Sequence, residues 1–166
     1  MKLMSVFVLG FLLAGCFAQQ VAQVTTFNKA DVATQLENGP NTIRGSALFN
    51  QVGGGTVTCA GRNVYLIPKS NFADERMQIL YGNLQGGRAA TGSSPTADEN
   101  QVAAYLAASK NTICDAQGFF KFENIADGQF YVQSTITWGE YNSQGGHLMR
   151  PVTVNGGTTV ELVLAP

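Results

Sequence analysis

From residue 42 onward, apolar and polar side chains alternate with a period of two, the pattern of strands that bury one face and expose the other. It begins where Ile43, Gly45, Ala47 and Phe49 interleave with Thr42, Arg44, Ser46 and Leu48. After the glycine run Gly53, Gly54 and Gly55, residues 63–67 read as a second strand, halted by Pro68. Residues 119–122 form an aromatic strand between the turn residues Asp115 to Gly118 and the turn pair Asp127 and Gly128. In the next strand Phe130, Val132, Ser134, Ile136 and Trp138 share one face, while Tyr131, Gln133, Thr135 and Thr137 share the other. One buried side and one wet side follow. Residues 151–154 and 158–164 flank Asn155 and Gly156, a strong hairpin signal, with Val160, Leu162 and Leu164 pointing inward.

Residues 69–113 depart from this alternation. A helix is predicted over 71–81, with Ala73, Met77, Leu80 and Tyr81 on one face. Thr96, Ala97, Asp98 and Glu99 match a capping box, which opens a second helix whose Val102, Tyr105 and Leu106 would pack on the sheet. Between them, residues 85–95 are rich in Gly, Ser and Ala and are expected to be the most mobile loop. Residues 17–40 carry few apolar side chains. A short helix opened by Asn28, with Val32 and Leu36 four apart, is stopped by Gly39 and Pro40. The segment therefore reads as a tether, able to span roughly 27 Å on average if flexible.

The first residues are of another kind. Lys2 precedes an uncharged run through Ala14 that holds Val6, Phe7, Val8, Leu9, Phe11, Leu12 and Leu13. At about 12 residues the run is too short to span a bilayer and is the right size for the core of an export signal. It ends in Leu13, Ala14, Gly15 and Cys16, which resembles the lipobox of bacterial lipoprotein signal peptides. The resemblance implies cleavage before Cys16, leaving residues 1–15 as the signal and a diacylglycerol thioether on Cys16 as the membrane anchor. An ordinary secretory signal, cut after Ala18, is the alternative. Phe17, where retained inner-membrane lipoproteins usually carry aspartate, points to the outer membrane of a two-membrane envelope.

With Cys16 lipidated, Cys59 and Cys114 remain as an even pair. In an oxidising envelope such pairs usually bridge, two buried free thiols being the alternative. Charged residues make up 13% of the chain, and the formal net charge is −1. No concentrated basic patch supports a nucleic-acid partner. Residues 16–166 suffice for one domain with a real core.

Short strands joined by Asp-Gly and Asn-Gly turns argue for a mainly β protein, an antiparallel sandwich over residues 41–166 with a two-helix insertion at 69–113. Here the residues also resemble the carboxypeptidase regulatory-like domain. The matches are Gly45; Ala60, Gly61, Val64 and Leu66; and Asp115, Gly118, Phe120, Phe122, Ile125, Gly128 and Phe130, with Tyr131 beside the usual tyrosine place. The resemblance implies a transthyretin-type sandwich of seven strands. In this motif the glycines and aspartate serve turns and the phenylalanines serve the core.

Catalytic chemistry finds little support. His147 is the single histidine, no ligand-spaced carboxylate accompanies it, and no nucleophile elbow or phosphate loop occurs. Asp74 with Glu75, and Asp98 with Glu99, fall at helix starts, where they oppose the helix dipole. No enzyme activity, metal or cofactor is expected. The remaining candidate is a binding surface formed by Trp138, Tyr141 and His147 beside a loop at Gly145 and Gly146, facing an envelope protein or a glycan. Trp138 alternatively completes the core face of its strand. A structural spacer or accessory subunit of an envelope complex is the second functional class.

Overall fold

The computed structural model describes residues 21–139 and 144–166. In chain order, a 3-10 helix at Lys29–Leu36 precedes β1 (Asn41–Asn50), β2 (Thr56–Thr58), β3 (Asn63–Pro68), α1 (Asn71–Tyr81), β4 (Gly87–Ala89) and α2 (Glu99–Ala107). Then follow β5 (Lys110–Ile113), β6 (Phe119–Ile125), β7 (Gly128–Trp138), β8 (Gln144–Val154) and β9 (Thr159–Leu164). The expected seven strands are nine among the described residues. Both β4 and β5 arise inside the insertion, and each takes an edge of the same sheet.

Two sheets enclose the main core. One is ordered β4-β8-β7-β3-β5, and the other has β1 at its centre. β1 pairs with β6 on one edge and β9 on the other, and its end pairs with β2. The alternation in β1 sends Ile43, Ala47 and Phe49 inward, where they meet Phe120, Phe122, Leu164, Val132, Ile136 and Leu148. Burial of this aliphatic and aromatic surface is the chief term holding the sheets together.

The Asn155–Gly156 signal marks a turn, but not a hairpin. β8 lies in the five-stranded sheet, whereas β9 crosses to the other and runs parallel to β1, from Thr42 opposite Thr159 to Ala47 opposite Leu164. The crossing is held by the buried side chain of Asn41, which accepts from the amides of Gly157 and Thr158. Turn chemistry specifies the reversal, and a partner more than a hundred residues away selects the sheet.

A third layer corrects a second expectation. The outer face of β7 is not wet throughout: Tyr131 is fully buried, within a second core of Ile67, Phe72, Ala73, Met77, Tyr105 and Met149. α1 supplies Phe72, Ala73 and Met77, and its bounds are those predicted. Tyr131 Oη donates to Asp74 Oδ1 at 2.7 Å, and Asp74 also pairs with Lys69. α2 starts later than the capping box suggested. Asp98 is its N-cap, accepting from the amides of Asn100 and Gln101, because its carboxylate reaches two free amides of the first turn. Tyr105 is buried on the second core, while Leu106 is exposed.

Residues 21–40 are docked rather than free. Glu75 accepts from the amides of Val24 and Thr25, and the Gln101 side chain accepts from the amide of Phe27. The Phe27 ring meets Phe72 edge-on at 5.7 Å. Val32 is fully buried, although the element around it is a 3-10 helix. The thin apolar content that suggested a tether is offset by side chains of α1 and α2 that receive the backbone. Cys59 and Cys114 form a disulfide, with Cα atoms 5.7 Å apart, tying the end of β2 to the start of the β5–β6 turn.

Candidate functional site

Among the described residues no helix lies across the outer face of the β9-β1-β6 sheet, and strand alternation dictates what it displays. With Ile43, Ala47, Phe120, Phe122 and Leu164 inside, Arg44, Ser46, Phe119, Lys121, Glu161 and Val163 stand outside. The register arranges them in two rows. Arg44 lies between Lys121 and Glu161, and Ser46 lies between Phe119 and Val163.

The first row is charged. Arg44 donates to Glu161 through Nε at 2.9 Å and also through Nη2, a fork on one carboxylate oxygen. Lys121 pairs with Glu123, two residues on and on the same face, at 2.6 Å. All four side chains are more than half exposed, so these pairs hold geometry more than they stabilise the fold. The second row is apolar around a serine. Phe119 is 57% exposed and Val163 48%, and Ile113 of β5 joins them at 63%. Ser46 leaves a gap between the larger side chains. Apart from Glu123, these residues line a shallow concavity of about 870 Å³, to which Asp115 and Arg150 also contribute.

Two features fix the surface. Gly45 lets β1 approach its neighbours closely, since a Cβ there would fall 2.0 Å from the Leu162 carbonyl oxygen and 3.0 Å from Phe120 Cζ. The Asp115 side chain accepts from the amides of Gln117 and Phe119, each at 2.9 Å, and so sets the start of β6. Phe119 is presented from a braced strand.

Of the binding surface proposed from the sequence, Trp138 and His147 are described, and they are not brought together. Cys16 and Tyr141 lie outside the described residues. Trp138 is half-buried on the core side of β7, its ring 5.6 Å from Phe49, completing the inward face begun at Phe130. His147 lies opposite Thr135 on the other face of that sheet, with Nδ1 2.7 Å from Thr135 Oγ1, and burial lowers its pKa. Gly145 and Gly146 belong to β8, paired with Thr137 and Ile136, and do not form a loop. A strand runs through them because glycine allows the close approach: a Cβ on Gly145 would meet the Ile136 carbonyl oxygen at 2.0 Å.

The sequence reading places Phe119 in the aromatic strand without giving it a face, although the signal for one is legible. Phe119 and Phe120 are adjacent, and adjacent strand residues face opposite sides. One of the two had to point outward, and it is Phe119.

No protein-family model matches the chain, and no curated protein sequence does. Among solved structures, the chain superposes on a protein of Pseudomonas aeruginosa named a "putative carbohydrate binding protein". The TM-score is 0.64 at 22% sequence identity, and the match covers 84% of this chain and 97% of that one. At that identity the likeness is one of fold.

Proposed function

We propose that the chain is a lipid-anchored, non-enzymatic binding module of the bacterial envelope whose outer sheet face takes a carbohydrate. The observation that carries the reading is the exposed Phe119 ring on a braced sheet, beside the serine gap and flanked by the Arg44–Glu161 and Lys121–Glu123 pairs. A pyranose has one face of C–H groups and a rim of hydroxyls. The C–H face lies on an aromatic ring, and hydroxyls both donate to carboxylates and accept from guanidinium or ammonium groups. A shallow site with an apolar patch and a few convergent polar groups suits such a ligand. The name of the structurally similar Pseudomonas aeruginosa protein supports the same ligand class.

The anchor rests on Lys2, the apolar run and the sequence Leu13, Ala14, Gly15, Cys16. The outer membrane is the proposed site, from Phe17 after the cysteine. The carboxypeptidase regulatory-like ancestry of the strand motif belongs to this proposal too. A test is retention of residues 21–166 on insoluble peptidoglycan and on polysaccharide resins, followed by calorimetry with soluble fragments. Phe119→Ala is expected to weaken binding about tenfold or more while leaving the melting temperature in place. Full retention by this variant, or recovery of one reproducible protein partner cross-linked through the face, would replace the glycan reading with an accessory-subunit role.

A further inference from the structure

The face opposite the concavity carries a separate consequence. Where residues 17–40 would give a long tether, docking begins at the first described residues. Ala22 bridges to Thr96, and the Gln23 amide donates to the Thr96 carbonyl at 2.8 Å. Gln23 Nε2 donates to the Phe72 carbonyl at 2.7 Å. Glu75 receives the amides of Val24 and Thr25 together with the Thr25 hydroxyl, and Phe27 packs against both Phe72 and Tyr105. The strap formed by residues 21–27 is thus joined to α1, to α2 and to the segment leading into α2.

We infer that the helical face, formed by α1, α2 and the strap, is the side held against the lipid surface, so that the Phe119 face is turned away from the membrane. The inference rests on the lipid-anchored reading of Cys16. Cys16 is five positions before Val21, and at about 3.5 Å per residue that link reaches at most about 18 Å. Helices, five-stranded sheet and β9-β1-β6 sheet are stacked layers about 10 Å apart, so the concavity lies roughly 20 Å or more beyond the helices. A leash of that length leaving from the strap cannot present the far sheet to the bilayer unless the strap peels off. A second observation agrees. Val21 is 57% exposed, Val24 80% and Leu106 51%, which puts three bare aliphatic side chains on the strap and α2. Asp98 and Glu99, at the start of α2, oppose insertion of this face into the hydrocarbon.

The test uses the full-length acylated protein in phosphatidylethanolamine and phosphatidylglycerol vesicles. With Cys16 acylated and Cys59 bonded to Cys114, an introduced cysteine is the free thiol to label. A fluorophore at Leu106→Cys is expected to transfer energy to a headgroup-bound acceptor at least about twofold more efficiently than one at Val163→Cys, given layers about 10 Å apart. Adding Phe27→Ala and Glu75→Gln, which release the strap, should bring the two efficiencies together. Equal or reversed efficiencies in protein of full acyl mass overturn the orientation and leave the anchor standing. Protein whose mass shows an unmodified Cys16 removes the anchor, and the orientation with it.

Discussion

Asn41 and Asp127 lie side by side beneath the β8–β9 crossing, with Asn41 Nδ2 donating to Asp127 Oδ1 at 2.8 Å and to the Ile125 carbonyl at 2.9 Å. Asn41 Oδ1 receives the amides of Gly157 and Thr158, and Asp127 Oδ1 receives that of Gly156. One buried amide thus joins the start of β1, the β6–β7 turn and the crossing. Removing it leaves the buried Ile125 carbonyl without this donor and takes one acceptor from the part-buried amides of Gly157 and Thr158. Asn41→Ala is expected to lower the unfolding free energy by about 2–4 kcal/mol in urea denaturation. A loss below about 1 kcal/mol would mean that burial of Val154 and Leu164 holds the crossing unaided.

Gly45 makes a second prediction, because its backbone lies against fixed neighbours on both sides. The atom that a methyl group would strike first is the Leu162 carbonyl oxygen, part of the backbone of β9, and it cannot swing aside. Gly45→Ala should therefore force β9 away from β1. The expected cost is about 3 kcal/mol, seen as a melting temperature lowered by roughly 10 °C. A stable variant with unchanged melting would show that the β1–β9 spacing is loose.

The particular elements that were legible share one property, which is that their pattern is local. β1, β6 and β7 follow the period-two alternation of their own residues, β3 its short apolar run ended by Pro68, and α1 its own apolar face. What escaped depends on distant partners. β2 and β4 have three residues each, too few to alternate, and β4 exists because β8 offers it an edge at Leu148. Tyr131 reads as solvent-facing until α1 lies over it. The Asn155 turn has the same residues whether its second arm returns to β8 or crosses to β1. The candidate site was half legible: the charged and aromatic residues of β1, β6 and β9 are in plain view, but their register across three strands is not. Trp138 and His147 looked like one cluster by composition and are separated by the sheet itself.

The disulfide closes a loop between positions 55 apart in sequence. Cross-linking restricts the unfolded chain far more than the folded one, whose β2 end and β5–β6 turn are already placed by pairing. Replacing both cysteines with alanine should lower stability by about 3–4 kcal/mol on the chain-entropy model. The measurement is urea denaturation of the double variant beside the oxidised and the reduced wild type. The reduced protein should match the variant to within about 1 kcal/mol if chain restriction is the cause. An equally stable double variant would assign the bridge no part in folding.

Tyrosines give the last prediction, in alkaline solution. Tyr81 accepts from the Gln133 side chain at 2.8 Å, and burial pushes its pKa up to about 12. Burial also raises Tyr105 and Tyr131, the latter assisted by the Asp74 carboxylate that accepts from its hydroxyl. An unfolded tyrosine loses its proton near pH 10. Above that pH the folded chain therefore binds more protons than the unfolded one, and stability falls as pH rises. For Tyr81 the loss begins near pH 10 and is complete by about pH 12. Tyr81→Phe should remove on the order of 2 kcal/mol of that fall, read from urea denaturation at a series of alkaline pH values. Tyrosinate absorbance gives a direct check: some phenols should titrate only as the fold is lost. A wild-type protein whose five tyrosines all ionise near pH 10 with the fold intact would refute the burial of this layer.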